Sequence, residues 1–191
     1  MTLYIKERAD KVLNASISGE YDGSCSFFDN MIAFANHNFY ENKLLYTQEE
    51  VKQEMIDEGE AADIAEEKAS FYCAAQRMSK YECLGTTEKD GDPAVTVSVT
   101  VPDVDSFLNQ LVSEISGSIT EDDYRRFTSE EEFVAYYDKL LYEEANKRIN
   151  EMKYKEPKEY ALRFSKESDG DFYVPDANDT GDILVAITLN D

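Results

Sequence analysis

The residues best able to do chemistry in this chain are carboxylates. Between positions 47 and 67 stand Glu49, Glu50, Glu54, Asp57, Glu58, Glu60, Asp63, Glu66 and Glu67, and Lys52 is the one cation inside that window. Glu50, Glu54 and Glu58 recur at i, i+4 and i+8, so on a helix they stack like charges along one face, which destabilises it. Folding stability gives no reason for such a pattern; a cationic partner would. Side chains at i and i+4 lie about 5–6 Å apart, and duplex DNA carries a phosphate every ~3.4 Å of axis on each strand. Two ragged rows of carboxylates therefore approach the charge density of a nucleic-acid strand. These nine acids are the candidate partner-binding residues. The turn Glu121-Asp122-Asp123, the pair Asp103 and Asp105, and the late acids Asp169, Asp171, Asp176, Asp179 and Asp182 could extend the same surface.

Other constellations are weaker. Residues 176–183, Asp-Ala-Asn-Asp-Thr-Gly-Asp-Ile, place oxygen donors at positions one, three, five and seven of an EF-hand-like loop, with glycine at six. Position twelve is Ile187 instead of a bidentate glutamate, and residues 183–189 alternate as a strand does, so a polar β-turn is the favoured reading. His37 is the one histidine and has no Cys or His at metal-ligand spacing. A His37–Cys25 dyad is conceivable only through the fold. No glycine-rich phosphate loop and no serine elbow is present. No catalytic residue, metal ligand or cofactor is assigned.

Composition sets the frame. The 191 residues carry a formal net charge of −22. That field repels nucleic acid and anionic membranes and attracts basic partners, so direct DNA or RNA binding is excluded for want of a basic footprint. A hydrophobic fraction of 42%, with ten Phe and thirteen Tyr, is ample for a packed core. Cys25, Cys73 and Cys83 are odd in number and widely spaced, which points to free thiols in a reducing compartment, hence the cytoplasm. No run approaches the ~20 apolar residues of a membrane span, and the N-terminus turns charged too early for a secretory signal.

The elements that must position the acids can be read from periodicity and caps. The first ~15 residues are compatible with a helix or an edge element. The dense apolar set at 25–40 reads as a buried helix. Thr47-Gln48-Glu49-Glu50 is a capping box that opens a helix to about Asp57, with Gly59 as a break. A second helix is expected from Glu60 to about Cys83, with Ala61, Ile64, Phe71, Ala75 and Met78 inward. Asp90-Gly91 marks a turn, and residues 94–101 alternate as a half-buried strand. Asp103 or Asp105 caps a helix carrying Phe107, Leu108, Leu111, Val112 and Ile115. Ser129-Glu130-Glu131-Glu132 is a second capping box and opens a long helix to about Met152, its inward stripe being Phe133, Tyr137, Leu141, Ala145, Ile149 and Met152. Lys139–Glu143, Glu143–Lys147 and Glu144–Arg148 are its expected ion pairs. Strands follow at 160–164, at 172–174 after an Asp169-Gly170 hairpin, and at 183–189. The expectation is one α+β domain over 1–191, a small antiparallel sheet of about four strands packed against several helices.

In size, charge and the acidic helices of 49–67, the chain resembles the acidic inhibitors carried by bacteriophages and mobile elements, including anti-CRISPR and anti-restriction proteins that imitate nucleic acid. The resemblance implies binding, without cofactor, to the basic nucleic-acid channel of a partner such as a Cas effector or a restriction enzyme. Tyr46 and Tyr72 are candidate apolar anchors beside the acids. The alternatives are a generic acidic interaction or assembly module, a divalent-metal-dependent enzyme using carboxylates, and general adaptation to high salt.

Overall fold

The computed structural model describes residues 2–18, 47–166 and 173–188. Among them are seven α-helices and one four-stranded antiparallel sheet, an α+β fold. The expected helix at 25–40, with Cys25 and His37, the anchor Tyr46 and the Asp169-Gly170 turn lie outside the described residues.

Contacts gather the chain into two compact units. The first comprises residues 1–45, 79–101 and 156–191. Its sheet runs in the order β1 (Lys80–Lys89), β2 (Asp92–Thr100), β3 (Lys158–Lys166), β4 (Tyr173–Pro175). Helix α1 (Thr2–Ser18) and the last helix, α7 (Ala177–Ile187), pack against this sheet. Ile5, Ala9 and Leu13, four residues apart, form the buried stripe of α1, which settles the N-terminal segment as a helix. They meet Val95, Val97 and Val99 of β2, Leu162 and Phe164 of β3, and Ile183, Ala186 and Ile187 of α7. The alternation expected of 94–101 is thus realised, with the valines inward. Asp90 and Gly91 both adopt positive φ, 58° and 87°. They form the two-residue mirror-image turn that suits a twisted hairpin, closed by the pairing of Lys89 with Asp92.

Two elements depart from the expectation. The helix foreseen to Cys83 ends at Gln76, and β1 begins at Lys80. A shift of register between Cys83 and Gly85 leaves Leu84 as a bulge, 45% exposed. Residues 183–189, expected as a strand, belong instead to α7. Thr180, Ile183, Leu184 and Ile187 are all buried and follow the 3–4 spacing of a helix face, and an apolar run this short fits either period. Asp176 decides it: its side chain accepts from the Asn178 and Asp179 N–H groups as an N-cap, so the expected β-turn at 176–182 is a helix start.

The second unit, residues 46–78 and 102–155, is helical. It holds α2 (Gln48–Asp57), α3 (Ala62–Gln76), α4 (Val104–Ser118), the short α5 (Glu121–Tyr124) and α6 (Glu130–Arg148), followed by a 3₁₀ turn at Ile149–Glu151. Phe71 lies at its centre, fully buried, stacked on Phe107 at 6.1 Å and edge-on to Tyr142 at 5.8 Å. Ile64, Leu111, Ile115, Leu141, Ala145 and Met152 complete the core. Ala61 and Met78, both expected on the inward stripe of α3, fall outside that helix, Ala61 as its N-cap. Asp103 caps α4 by accepting from the Ser106 N–H.

Candidate partner-binding surface

The capping box at the head of α2 forms as its spacing requires. Glu50 Oε2 accepts from the Thr47 N–H at 2.8 Å, and Thr47 Oγ1 accepts from the Glu50 N–H at 3.3 Å. These bonds to Thr47 hold the Glu50 carboxyl below its ordinary value. The far end of α2 is closed by Gly59 at φ 102°. The Glu60 N–H reaches Met55 O and the Gly59 N–H reaches Ile56 O, both at 3.0 Å, which is the Schellman arrangement. α2 thus turns back tightly onto α3, and Gln48 Nε2 donates to Glu66 Oε1 across the pair.

This packing redistributes the nine acids. Lys52 was the one cation in their stretch of sequence, but it is not the only one that answers them in space. Lys52 itself reaches Glu66 at 2.5 Å and Glu49 at 3.9 Å. Lys68 pairs with Glu60 and, at 3.3 Å, with Asp138. Lys139, arriving from α6, pairs with Asp63 at 2.6 Å and lowers its carboxyl pKa. Asn146 Nδ2 donates to the Glu67 carboxylate at 2.8 Å and to its carbonyl at 2.9 Å. Five of the nine are therefore held by cations or an amide that belong to the fold.

Glu54, Asp57 and Glu58 remain. All three are exposed, and among the described residues none has an ion pair. Asp57 accepts one hydrogen bond, from Gln53 at 2.8 Å. With Glu50 they form a stripe at i, i+4, i+7 and i+8, about 12 Å long at a rise of ~1.5 Å per residue. Their position carries an electrostatic cost. The last turn of α2 holds no basic residue, yet a helix C-terminus carries partial negative charge and favours cations.

The cations of α6 also pair differently from the expected i, i+4 pattern. Lys139 turns to Asp63, Arg148 reaches Glu114 at 2.6 Å and Glu151 at 2.9 Å, and Lys147 lies 3.7 Å from Glu144. Ser129 caps α6 by accepting from the Glu132 N–H. The Glu132 carboxylate completes no box with Ser129; it accepts from the Thr128 N–H at 2.9 Å and the Thr128 hydroxyl at 2.8 Å. A capping box absent from the expectation joins Thr120 and Asp123 at the head of α5.

Tyr72, a candidate anchor, is committed inward: its hydroxyl lies 2.9 Å from that of Tyr142 and its ring 5.3 Å from Phe71. Among the described residues the exposed aromatics of this unit are Tyr124, 52% exposed, Tyr136, 47%, and Tyr154, 38%.

Among the described residues no cluster of three or more His, Cys, Asp or Glu side chains has the arrangement of a metal site. Asp179, inside the EF-hand-like stretch, is buried and saturated by Arg163 and Lys89. Cys73 and Cys83 are buried and form no disulfide. Burial pushes both up from the ordinary thiol value, and for Cys83 the Asp10 carboxylate adds to the shift, so neither is a ready nucleophile. No described helix is long and apolar enough to cross a membrane. Compared with protein-family models, curated proteins and solved structures, the chain matches none.

Proposed function

We propose that this protein is a stoichiometric inhibitor or interaction protein, acting in the cytoplasm without a cofactor, that binds the basic nucleic-acid-binding surface of a partner as a nucleic-acid mimic. A Cas nuclease or a restriction enzyme is the partner class with the required chemistry. The observation that carries this reading is the stripe Glu54, Asp57 and Glu58. These carboxylates are exposed, have no ion pair among the described residues and crowd the end of α2, where the helix disfavours them. A cationic groove would relieve that repulsion on binding, so association gains what folding lost.

A second reading, an acidic assembly module without mimicry, is favoured by one fact. Glu60, Asp63, Glu66 and Glu67 are used internally, so the free stripe is short compared with a duplex footprint.

The test is competition on the intact chain. The protein is immobilised, and purified Cas effectors and restriction nucleases are passed over it. Retained nucleases are challenged with guide RNA, with duplex DNA and with rising salt. The mimic reading expects displacement by nucleic acid and by salt, and at least a tenfold weaker affinity for the variant Glu54→Gln, Asp57→Asn, Glu58→Gln. That variant should fold as the wild type does, because the three side chains are exposed. If it holds the partner unchanged, or if nucleic acid and protein bind the nuclease together, the reading fails. Retention that salt abolishes but nucleic acid does not would favour the assembly module.

A further inference from the structure

The inward stripe expected of α6 is inward for only part of its length. Leu141 and Ala145 are buried, whereas Phe133 and Tyr137, two turns and one turn nearer the N-terminus than Leu141, are incompletely covered. The result is an open groove of about 330 Å³ lined by Ser116, Ile119, Phe133, Val134 and Tyr137. Its polar atoms are already satisfied: the Tyr137 hydroxyl donates to Val112 O at 3.1 Å and lies 2.9 Å from Ser116 Oγ. What remains is an apolar floor.

Aromatic surface continues it. Phe133 lies 4.8 Å from Tyr124 and 5.6 Å from Phe127, and Phe127 lies 5.1 Å from Tyr136. Val134 is 50% exposed, and a contiguous patch of this kind is characteristic of an interaction surface. The charge around the patch is negative on balance. Glu130, Glu131 and Glu132 in the first turn of α6 have no ion pair among the described residues. The nearby cations Arg125 and Arg126 are spent on Glu121, Asp122 and Asp123 at 3.3–3.4 Å.

We propose that this groove docks a basic amphipathic helix of a partner protein. The helix's apolar residues at i, i+3 or i+4 and i+7 would fill the groove and lie on the aromatics, and its Lys and Arg would face the carboxylates of the α6 first turn. Charge complementarity selects this occupant. A second copy of the chain would bring the same acidic rim against itself, and an apolar anion would be repelled. The volume lies at the lower end of the ~300–1,000 Å³ typical of ligand sites, enough for a large apolar side chain or two. The site is independent of the α2 stripe and requires no nucleic-acid mimicry.

The test uses the full chain and a model peptide of Leu and Lys, about 18 residues long so that a helix can form, with one Trp on its apolar face. The protein has no Trp, so the emission reports the peptide alone. Saturable binding with a blue shift is expected, together with amide perturbations at Ile119, Val134 and Tyr137. Val134→Asp is decisive. Simple charge attraction predicts that an added carboxylate strengthens binding, whereas docking into the groove predicts at least a tenfold loss. Tyr136→Ser should weaken binding as well and guards against a folding defect in the first variant. The triple α2 variant should bind the peptide as the wild type does; a loss there would move the site to α2 and overturn this inference alone. Equal binding of a Leu/Glu peptide, strengthening by Val134→Asp, self-association through the same residues in sedimentation, or no binding up to about millimolar peptide, the weakest affinity worth the name at roughly −4 kcal/mol, would each overturn it too.

Discussion

Replacing Asp179 by asparagine should destabilise the protein strongly, because it removes a buried charge on which two cations converge. The side chain is 6% exposed. Its oxygens accept from the Arg163 backbone N–H at 3.0 Å, from Arg163 Nε at 2.9 Å and from Lys89 Nζ at 2.9 Å. One carboxylate thereby ties together the end of β1, strand β3 and the first turn of α7. Asparagine keeps the shape but removes the charge from a point where two cations converge. Breaking a buried pair costs about 3–5 kcal/mol because the remaining charge is left uncompensated. Here the low end applies. Arg163 retains Asp176 and Asp90, each at 3.4 Å, and the Lys89 side chain is 39% exposed and can turn to water. A loss near 3 kcal/mol, with a urea slope of about 2 kcal/mol/M, lowers the unfolding midpoint by roughly 1.5 M, read by far-UV circular dichroism at neutral pH. The pH dependence gives an independent check. Burial pushes the Asp179 carboxyl up, but the bonds from Arg163 and Lys89 outweigh it and hold the group below its ordinary value. A carboxyl depressed in the folded state contributes its full stability above the unfolded value of about 3.9 and loses it as pH falls through the folded value. The gap between wild type and variant should therefore be flat from about pH 5 to 8 and narrow steadily below about pH 4. A loss under about 1 kcal/mol, the range of exposed pairs, or a gap indifferent to acid, would refute the account.

Gly59→Ala tests the turn that sets α2 onto α3. No atom lies within 4 Å of the added Cβ, so the cost is backbone strain alone at φ 102°, about 1–2 kcal/mol by denaturant unfolding. Tyr81 tests the sheet unit from the alkaline side. Burial, with Asp10 and Cys83 adding, pushes its phenol up to about 12. The stability it confers is whole below the unfolded value of about 10 and is lost as pH rises through the folded value. Tyr81→Phe should therefore flatten the loss of stability between about pH 10 and 12, and an unchanged alkaline profile would count against burial as the cause.

Much of the fold was legible because its signals were local. The Thr47–Glu50 box, the valine alternation of 94–101, the cap at Asp103 and the Asp90-Gly91 turn each depend on residues within a few positions of one another. The errors arose where a local pattern was ambiguous and a neighbour decided. Ile183, Val185 and Ile187 alternate like a strand, but Thr180, Ile183, Leu184 and Ile187 also fit a helix, and only the half-buried Asp176 cap and the sheet beneath choose between them. β1 had a signal that went unused: a two-residue Asp-Gly hairpin needs a strand on its N-terminal side as well as after it. The candidate site was legible as a set of charges and not as a set of contacts. Lys139 and Asn146 lie more than seventy positions from Asp63 and Glu67, and no window of sequence could show that the first pairs with Asp63 as an ion and the second donates to Glu67. The aromatic groove was hidden for the same reason. Phe133 and Tyr137 sit at core spacing, and nothing local reveals that the core stops short of them.

The acids of the helical unit therefore answer to different demands. Glu50, Asp103 and Asp123 cap helix N-termini, where their charge is favourable. Glu60, Asp63, Glu66, Glu114 and Asp138 meet cations from the same unit. Both uses are explained by folding, and neither requires a partner. Glu54, Asp57 and Glu58 satisfy neither condition, because they stand at the wrong end of a helix and repel one another. Solubility does not account for the placement, since a carboxylate on any exposed face supplies it and most other faces would cost less. The same reasoning separates the α6 first turn from α2: Glu130, Glu131 and Glu132 gain from the helix dipole, so their charge alone argues for nothing, and it is the apolar groove beside them that argues for an occupant. A partner that engages both surfaces would bring cations to α2 and an apolar, basic helix to α6. Binding to the wild type should then exceed what either the triple α2 variant or Val134→Asp retains, with the two losses additive if the surfaces act independently.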